Sequence, residues 1–86
     1  MTDALENRRK RLIFRSWHRG TREMDILMGS FADRHVPDMD EAALAAYEDL
    51  LNEPDPDLYD WYTGKQVRAG MDNPVLGLFL AHKVAS

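Results

Sequence analysis

Prolines at 37, 54, 56 and 74 limit the length of every regular element this chain can form. Proline has no backbone N–H to donate, and it biases the residue before it away from the helical region. Helical periodicity can run unbroken only ahead of Pro37, between Pro37 and Pro54, and after Pro56 and Pro74. Gly20 divides the first of these stretches again. Inside a helix glycine costs about 1 kcal/mol relative to alanine, whereas at a boundary its freedom is useful. The chain must therefore be a set of short elements with short connections, each burying one face against a neighbour.

The apolar residues recur at helical spacing. A first helix is expected from about Leu5 to Trp17, after a frayed 1–5, with Leu5, Leu12, Ile13 and Trp17 as its seam and Phe14 on the border. A second runs from Thr21 to Asp33 or Arg34 with the stripe Met24, Leu27, Met28, Phe31 and with Ile26 off it. Gly29 inside it marks close packing or a local weakness. The third starts at Asp38 as N-cap with Glu41 three residues on, carries Leu44, Tyr47, Leu50 and Leu51, and stops at Glu53-Pro54. The fourth takes Asp55 as N-cap and Pro56 at N1, then Leu58, Trp61 and Tyr62, and closes on Gly64 and Lys65. Residues 65–72 read as a helical extension or a loop. Asn73-Pro74 opens a last helix over about 74–85, apolar on more than one face through Val75, Leu76, Leu78, Phe79, Leu80 and Val84. No strand alternation or internal repeat is visible. The expected fold is all-α, a small five-helix bundle forming one domain over 1–86.

A chain of 86 residues, 44% hydrophobic and 30% charged, can bury a modest core and is too apolar for disorder. It has no cysteine, so a disulfide framework, a thiolate zinc site and a cysteine nucleophile are all excluded. That suits a reducing, bacterial-cytoplasmic setting. No apolar run approaches the roughly 20 residues that span a bilayer, so no membrane insertion is expected. There is no Gly-rich phosphate loop, dinucleotide-binding fingerprint or nucleophile–base motif. His18, His35 and His82 are scattered and read as surface histidines rather than ligands. Asp55 and Asp57 read as helix-start residues rather than an acid–base pair. An interaction module, not an enzyme, is the expectation.

Net charge is −4, but the charges are segregated. Arg8, Arg9, Lys10, Arg11, Arg15, Arg19 and Arg22 lie in the first quarter, and residues 38–60 are acidic throughout. Such asymmetry marks a nucleic-acid arm or an oriented protein interface. Arg8, Arg11 and Arg15 share one helix face, which reads more readily as a solvated face than as a site.

The junction His18-Arg19-Gly20-Thr21-Arg22-Glu23-Met24-Asp25 has two readings. With Gly20 as N-cap, Glu23 falls at N3 and meets the positive end of the helix dipole, and Arg19 pairs with it four residues away. That is a capped junction with a solvated ion pair. Alternatively it is a docking knuckle, where a bare glycine lets a partner approach and the flanking charges orient it.

Arg19-Gly20-x-x-Glu23 followed by Asp25, the basic run Arg8–Arg11, Tyr47 with Leu50-Leu51, and Asp55-Pro56-Asp57-Leu58 ahead of Trp61 form an ordered set over roughly 8–65. In this set the chain resembles the FAD assembly factors of succinate dehydrogenase, called SdhE in bacteria and succinate dehydrogenase assembly factor two in mitochondria. After Gly64 the likeness fades. The capped segments and helical stripes suggest a bundle that is monomeric when free, and the resemblance implies a chaperone-like protein that binds the flavoprotein subunit of succinate dehydrogenase and, in bacteria, of fumarate reductase. It implies that FAD becomes covalently attached to the partner; the missing dinucleotide-binding fingerprint is the reason no cofactor is expected to be held stably by this chain. It places Arg19, Gly20 and Glu23 at the partner surface, with Asp25, Arg15 and Arg11 beside them. Two rivals remain from the residues alone. One is an antitoxin-type regulatory binder. The other is a basic-face nucleic-acid binder, against which the acidic half of the chain counts.

Overall fold

The structure, a computed structural model, describes residues 2–84. Five helices follow one another: α1 (Thr2–Trp17), α2 (Arg22–His35), α3 (Glu41–Leu51), α4 (Asp55–Tyr62) and α5 (Leu76–Ala81), with a 3₁₀ turn over Val36–Asp38 between α2 and α3. Among the described residues there is no strand. α1 therefore begins at Thr2 rather than Leu5, and Met1 lies outside the described residues.

α1 and α2 form a hairpin. Trp17 lies across from Gly29, while Arg9, earlier on α1, donates through Nη2 to Met39 O beyond the end of α2 at 2.7 Å, so the two helices run in opposite directions. Gly29 marks close packing: a Cβ there would collide with the Trp17 indole. α3 lies along the other side of α1, joined by Arg8 to Glu48 at 2.6 Å and by Arg15 to Asn52 at 3.2 Å.

The stripes of α2 and α3 are buried as their spacing requires: Met24, Leu27, Met28 and Phe31 on one, Leu44, Tyr47, Leu50 and Leu51 on the other. Leu12 is the buried member of the α1 seam, with Leu5 and Ile13 packed at its edge, whereas Phe14 is 63% exposed. Tyr47 joins the three long helices. Its ring packs against Phe31 at 5.4 Å, and its hydroxyl meets Ser16 Oγ at 2.6 Å. Ser16 Oγ donates to Leu12 O at 2.7 Å, which leaves the phenol to donate to Ser16. Burial disfavours the phenolate and pushes the Tyr47 pKa up to about 12, with Ser16, Arg19 and Arg15 opposing.

Two helix starts differ from the sequence reading. The N-cap of α3 is Asp40, whose Oδ1 accepts from Ala43 N at 2.9 Å. Asp38 instead closes the 3₁₀ turn that Pro37 favours. The N-cap of α4 is Pro54, so Asp55 is already helical and its carboxylate is free for other partners. Gly64 does follow the end of α4, at φ +107, with Lys65 N donating to Asp60 O at 2.9 Å to tie off the last turn. Residues 65–72 are loop and turn, strapped by Arg68, which pairs with Glu53 at 2.9 Å and lies 5.6 Å from the Trp61 ring.

The last helix is shorter than expected. It ends at Ala81, and of the expected span residue 85 lies outside the described residues. Asn73 Oδ1 accepts from Val75 N and Asn73 Nδ2 donates to Ala46 O, each at 2.8 Å, but residues 74–75 form a turn and helical geometry starts only at Leu76, which puts Val75 at the N-cap position. At the other end Tyr62 donates its hydroxyl to His82 O at 2.7 Å, and the chain leaves helical geometry there. His82 is only 7% exposed, contrary to its reading as a surface histidine. Its Nε2 lies 2.9 Å from Ser30 Oγ, and its ring meets Phe31 at 5.5 Å and His35 at 6.2 Å.

Two predictions follow from this packing. Gly29→Ala gains helix propensity but must displace the Trp17 indole, so we expect a net loss of about 1–3 kcal/mol. The melting midpoint should fall and tryptophan emission should shift to the red; an unchanged midpoint would show that the ring moves aside freely. The second concerns acid. Burial, with His35 and Arg34 nearby, holds the His82 imidazole below its ordinary 6.5. Burial and Arg34 do the same for His35 against the pull of Asp38. The unfolded chain takes up these protons first as pH falls, so stability declines once pH drops through 6.5. Thermal melts should lose stability between pH 7 and 5, and His82→Gln should lose less over that interval. Equal losses would assign the titration to other groups.

Candidate functional site

The turn between α1 and α2 is built by a carboxylate. Arg19 N and Gly20 N both donate to Asp25 Oδ1, the second over 3.1 Å. Two successive N–H groups can converge on one acceptor only if the chain turns sharply, and Gly20 does so at φ +121. That region strains any residue with a Cβ. Space is not the reason for glycine: nothing lies within 4 Å of the position a Cβ would take.

The N-cap of α2 is consequently Thr21, not Gly20, with Thr21 Oγ1 accepting from Met24 N at 3.3 Å. Glu23 falls one place earlier than expected, in the first turn of α2, where its exposed carboxylate still suits the helix dipole.

Arg19 does not pair with Glu23. The left-handed step at Gly20 breaks the helical register that would bring the two together. The guanidinium turns instead to the α3–α4 junction. Nε donates to Asp55 Oδ1 at 2.8 Å, Nη1 to Leu51 O at 2.6 Å and Nη2 to Glu53 O at 3.0 Å, with Nη2 also 2.7 Å from Asp55 Oδ1. The side chain is 12% exposed. Leu51 O ends α3 and Glu53 O lies in the turn beyond it, and a planar fork with five N–H groups answers both and a carboxylate together.

Of the residues read from the sequence, Arg19, Gly20, Glu23 and Asp25 are thus gathered at one junction. Gly20, Thr21, Arg22 and Glu23 are its exposed crest. Arg11 and Arg15 stand apart along α1, lining a groove with Leu12, Phe14 and Glu48. Two open depressions flank the crest. His18, Gly20, Thr21, Arg22, Asp25 and Ile26 line one, and Thr21, Glu23, Met24, Asp55, Pro56 and Tyr59 line the other. Phe14, stacked on His18 at 4.0 Å, leads into the first. Tyr59, 47% exposed, walls the second. Tyr59 is the residue the sequence reading passed over, because it falls beside the Leu58, Trp61, Tyr62 stripe. An aromatic on the polar face of a short helix was the available signal.

Among the described residues no cluster of His, Cys, Asp or Glu is arranged to hold a metal ion, and no helix is long and apolar enough to cross a membrane. The junction presents an exposed glycine with open space on its Cβ side, opposite charges at Arg22 and Glu23, and an aromatic on either side.

Removing the Arg19 side chain strands Asp55 and the carbonyls of Leu51 and Glu53. Arg19→Ala is expected to cost about 2–3 kcal/mol, the scale of hydrogen bonds to charged groups. Glu23→Ala should leave the melting midpoint within about 0.5 kcal/mol of wild type, as for surface substitutions generally. Chemical denaturation of both variants checks this, and equal midpoints would contradict the buried role given to Arg19.

A family model described as the flavinator of succinate dehydrogenase matches residues 10–83. The chain is 46% identical over 63 residues to the FAD assembly factor SdhE of Acetobacter pasteurianus, covering 73% of this chain and 58% of that protein. It is 38% identical over 79 residues to the mitochondrial succinate dehydrogenase assembly factor 2 of Dictyostelium discoideum, covering 91% and 56%. The mitochondrial assembly factor 2-B of Drosophila mojavensis is 36% identical over 83 residues, covering 93% and 53%. The chain spans about half the length of the curated relatives it matches. No solved structure matches it.

Proposed function

Because this chain belongs to the family of the flavinator of succinate dehydrogenase, we propose that it docks on the flavoprotein subunit of succinate dehydrogenase and promotes covalent attachment of FAD there. In a bacterium the flavoprotein subunit of fumarate reductase is a second client. The relatives are named for assembly rather than for catalysis, and we read this chain the same way. The partner supplies the groups that react. The absence of cysteine supports a reducing, cytoplasmic setting.

One observation carries this reading: an exposed, internally braced junction at whose central glycine nothing lies within 4 Å of the position a Cβ would take. Asp25 fixes the turn from inside and Arg19 fixes it against α3 and α4, so the crest meets a partner already ordered. A preordered surface loses little entropy on docking and can impose one arrangement on the protein it binds. In this reading the chain stabilises the conformation in which the partner's own groups polarise the flavin and stabilise developing charge. FAD is a substrate of that reaction. The depressions beside the crest are open and lack a glycine-rich turn for a pyrophosphate, which supports leaving the dinucleotide with the partner. The free chain is proposed to be a monomer.

The test compares two substitutions at Gly20. Gly20→Ala and Gly20→Arg share the backbone strain of φ +121, about 1–3 kcal/mol. Only arginine adds bulk and an unpaired charge at the crest. Both should melt lower than wild type by similar amounts. Under conditions where both are folded, Gly20→Ala should retain most of the stimulation of flavin attachment, read as covalent flavin fluorescence of the partner in a denaturing gel. Gly20→Arg should lose it together with binding. Normal flavinylation by folded Gly20→Arg would remove the crest from the interface.

A further inference from the structure

Tyr59 is a large aromatic left 47% exposed between buried neighbours, Leu58 and Trp61. Pro56, one turn earlier on α4, is exposed on the same side, and together they face Thr21, Glu23 and Met24 across a groove floored by Asp55. The two walls belong to different helices. Arg19 sets their spacing, because it leaves the α1–α2 turn and bonds Asp55 at the start of α4.

The charges around the groove are not equivalent. Asp55 is answered by Arg19 at 2.7 Å, and Asp60 by Lys65 at 3.5 Å. Glu23 stands exposed on the rim and, among the described residues, makes no ion pair. An aromatic wall with one unanswered carboxylate at the rim suits a long side chain with an apolar stem and a cationic end. The stem would lie along Tyr59 and Pro56 and the head would reach Glu23.

We propose that the groove between the start of α2 and α4 is the second half of the docking surface and receives a lysine- or arginine-bearing segment of the flavoprotein, with Tyr59 as its anchor. This rests on the flavoprotein reading and adds to it the chemistry that the partner must present. Asp55 is a positioning residue: it touches Arg19 rather than the partner, and it holds the Tyr59 wall at its distance from Glu23. The occupant is a basic segment because the rim carries negative charge. The competing occupant is a second copy of this chain, whose α1 also carries exposed Lys10 and Arg11.

The experiment measures binding of the purified flavoprotein subunit, not yet flavinylated, to the wild-type chain and to Tyr59→Ala, Tyr59→Phe and Glu23→Lys. Sedimentation of the free proteins runs alongside. Because Tyr59 and Glu23 are exposed, melting midpoints should be close to wild type. Tyr59→Ala and Glu23→Lys should each weaken binding about tenfold or more, the loss expected at an aromatic or charged anchor. Tyr59→Phe, which keeps the ring face, should stay within about threefold. If the wild type binds and both Tyr59→Ala and Glu23→Lys bind equally well, the groove is not part of the interface and the flavoprotein reading stands. If the wild type does not bind, both fall. If the free chain self-associates and Tyr59→Ala abolishes that, the occupant is a second copy and the proposal is overturned.

Discussion

The guanidinium of Arg19 joins two chain reversals that otherwise touch little. Its three nitrogens reach Asp55 and the carbonyls of Leu51 and Glu53, so the α1–α2 turn is fastened to the α3–α4 turn. A lysine could satisfy one of these acceptors well but not the planar set. Asp25 completes the arrangement from the other side by holding Arg19 N and Gly20 N. The crest at Gly20 is therefore rigid because one residue points its backbone one way and its side chain another. An arginine assigned to partner contact from its motif is, in its resting position, an internal strut.

The segregation of charge in the chain is met within the fold at two ion pairs, Arg8 with Glu48 and Arg19 with Asp55. Basic α1 lies against acidic α3, with Arg8 on Glu48 and Arg15 on Asn52. Such half-exposed pairs add little stability. Their effect is orientation, since they fix how α1 and α3 lie together around Tyr47.

Periodicity found the faces of α2 and α3 because each has one dominant neighbour, so a stripe in sequence is a stripe in space. It did less well where tertiary contacts override local preference. Asp38 and Asp40 are both reasonable caps before Glu41, and the 3₁₀ turn after Pro37 decides between them. Gly20 was legible as a boundary but not as the residue before the cap, because the deciding partner, Asp25, lies inside the next helix. The acidic partner of Arg19 lies 36 residues away, beyond any local pattern. Ser16 and His82 are polar residues whose burial rests on hydrogen bonds to distant side chains, Tyr47 and Ser30, which spacing cannot announce. The motif letters thus located the junction, while the inward role of its arginine came only from the fold.

α5 has six residues, too few to persist as a free helix. It exists because Val75, Phe79 and His82 are seated in the bundle. Its backbone amides should accordingly exchange with solvent through a local opening that leaves α1, α2 and α3 intact. In that case the molecule would open in two steps of unequal depth, the shallower one involving a helix that carries exposed Leu78 and Leu80. Each undocking would release the Phe79 ring into solvent while the crest at Gly20 stays ordered. α5 would thus open and close while the α1–α2 turn keeps the bonds to Asp25 and Asp55 that hold it independently of that helix.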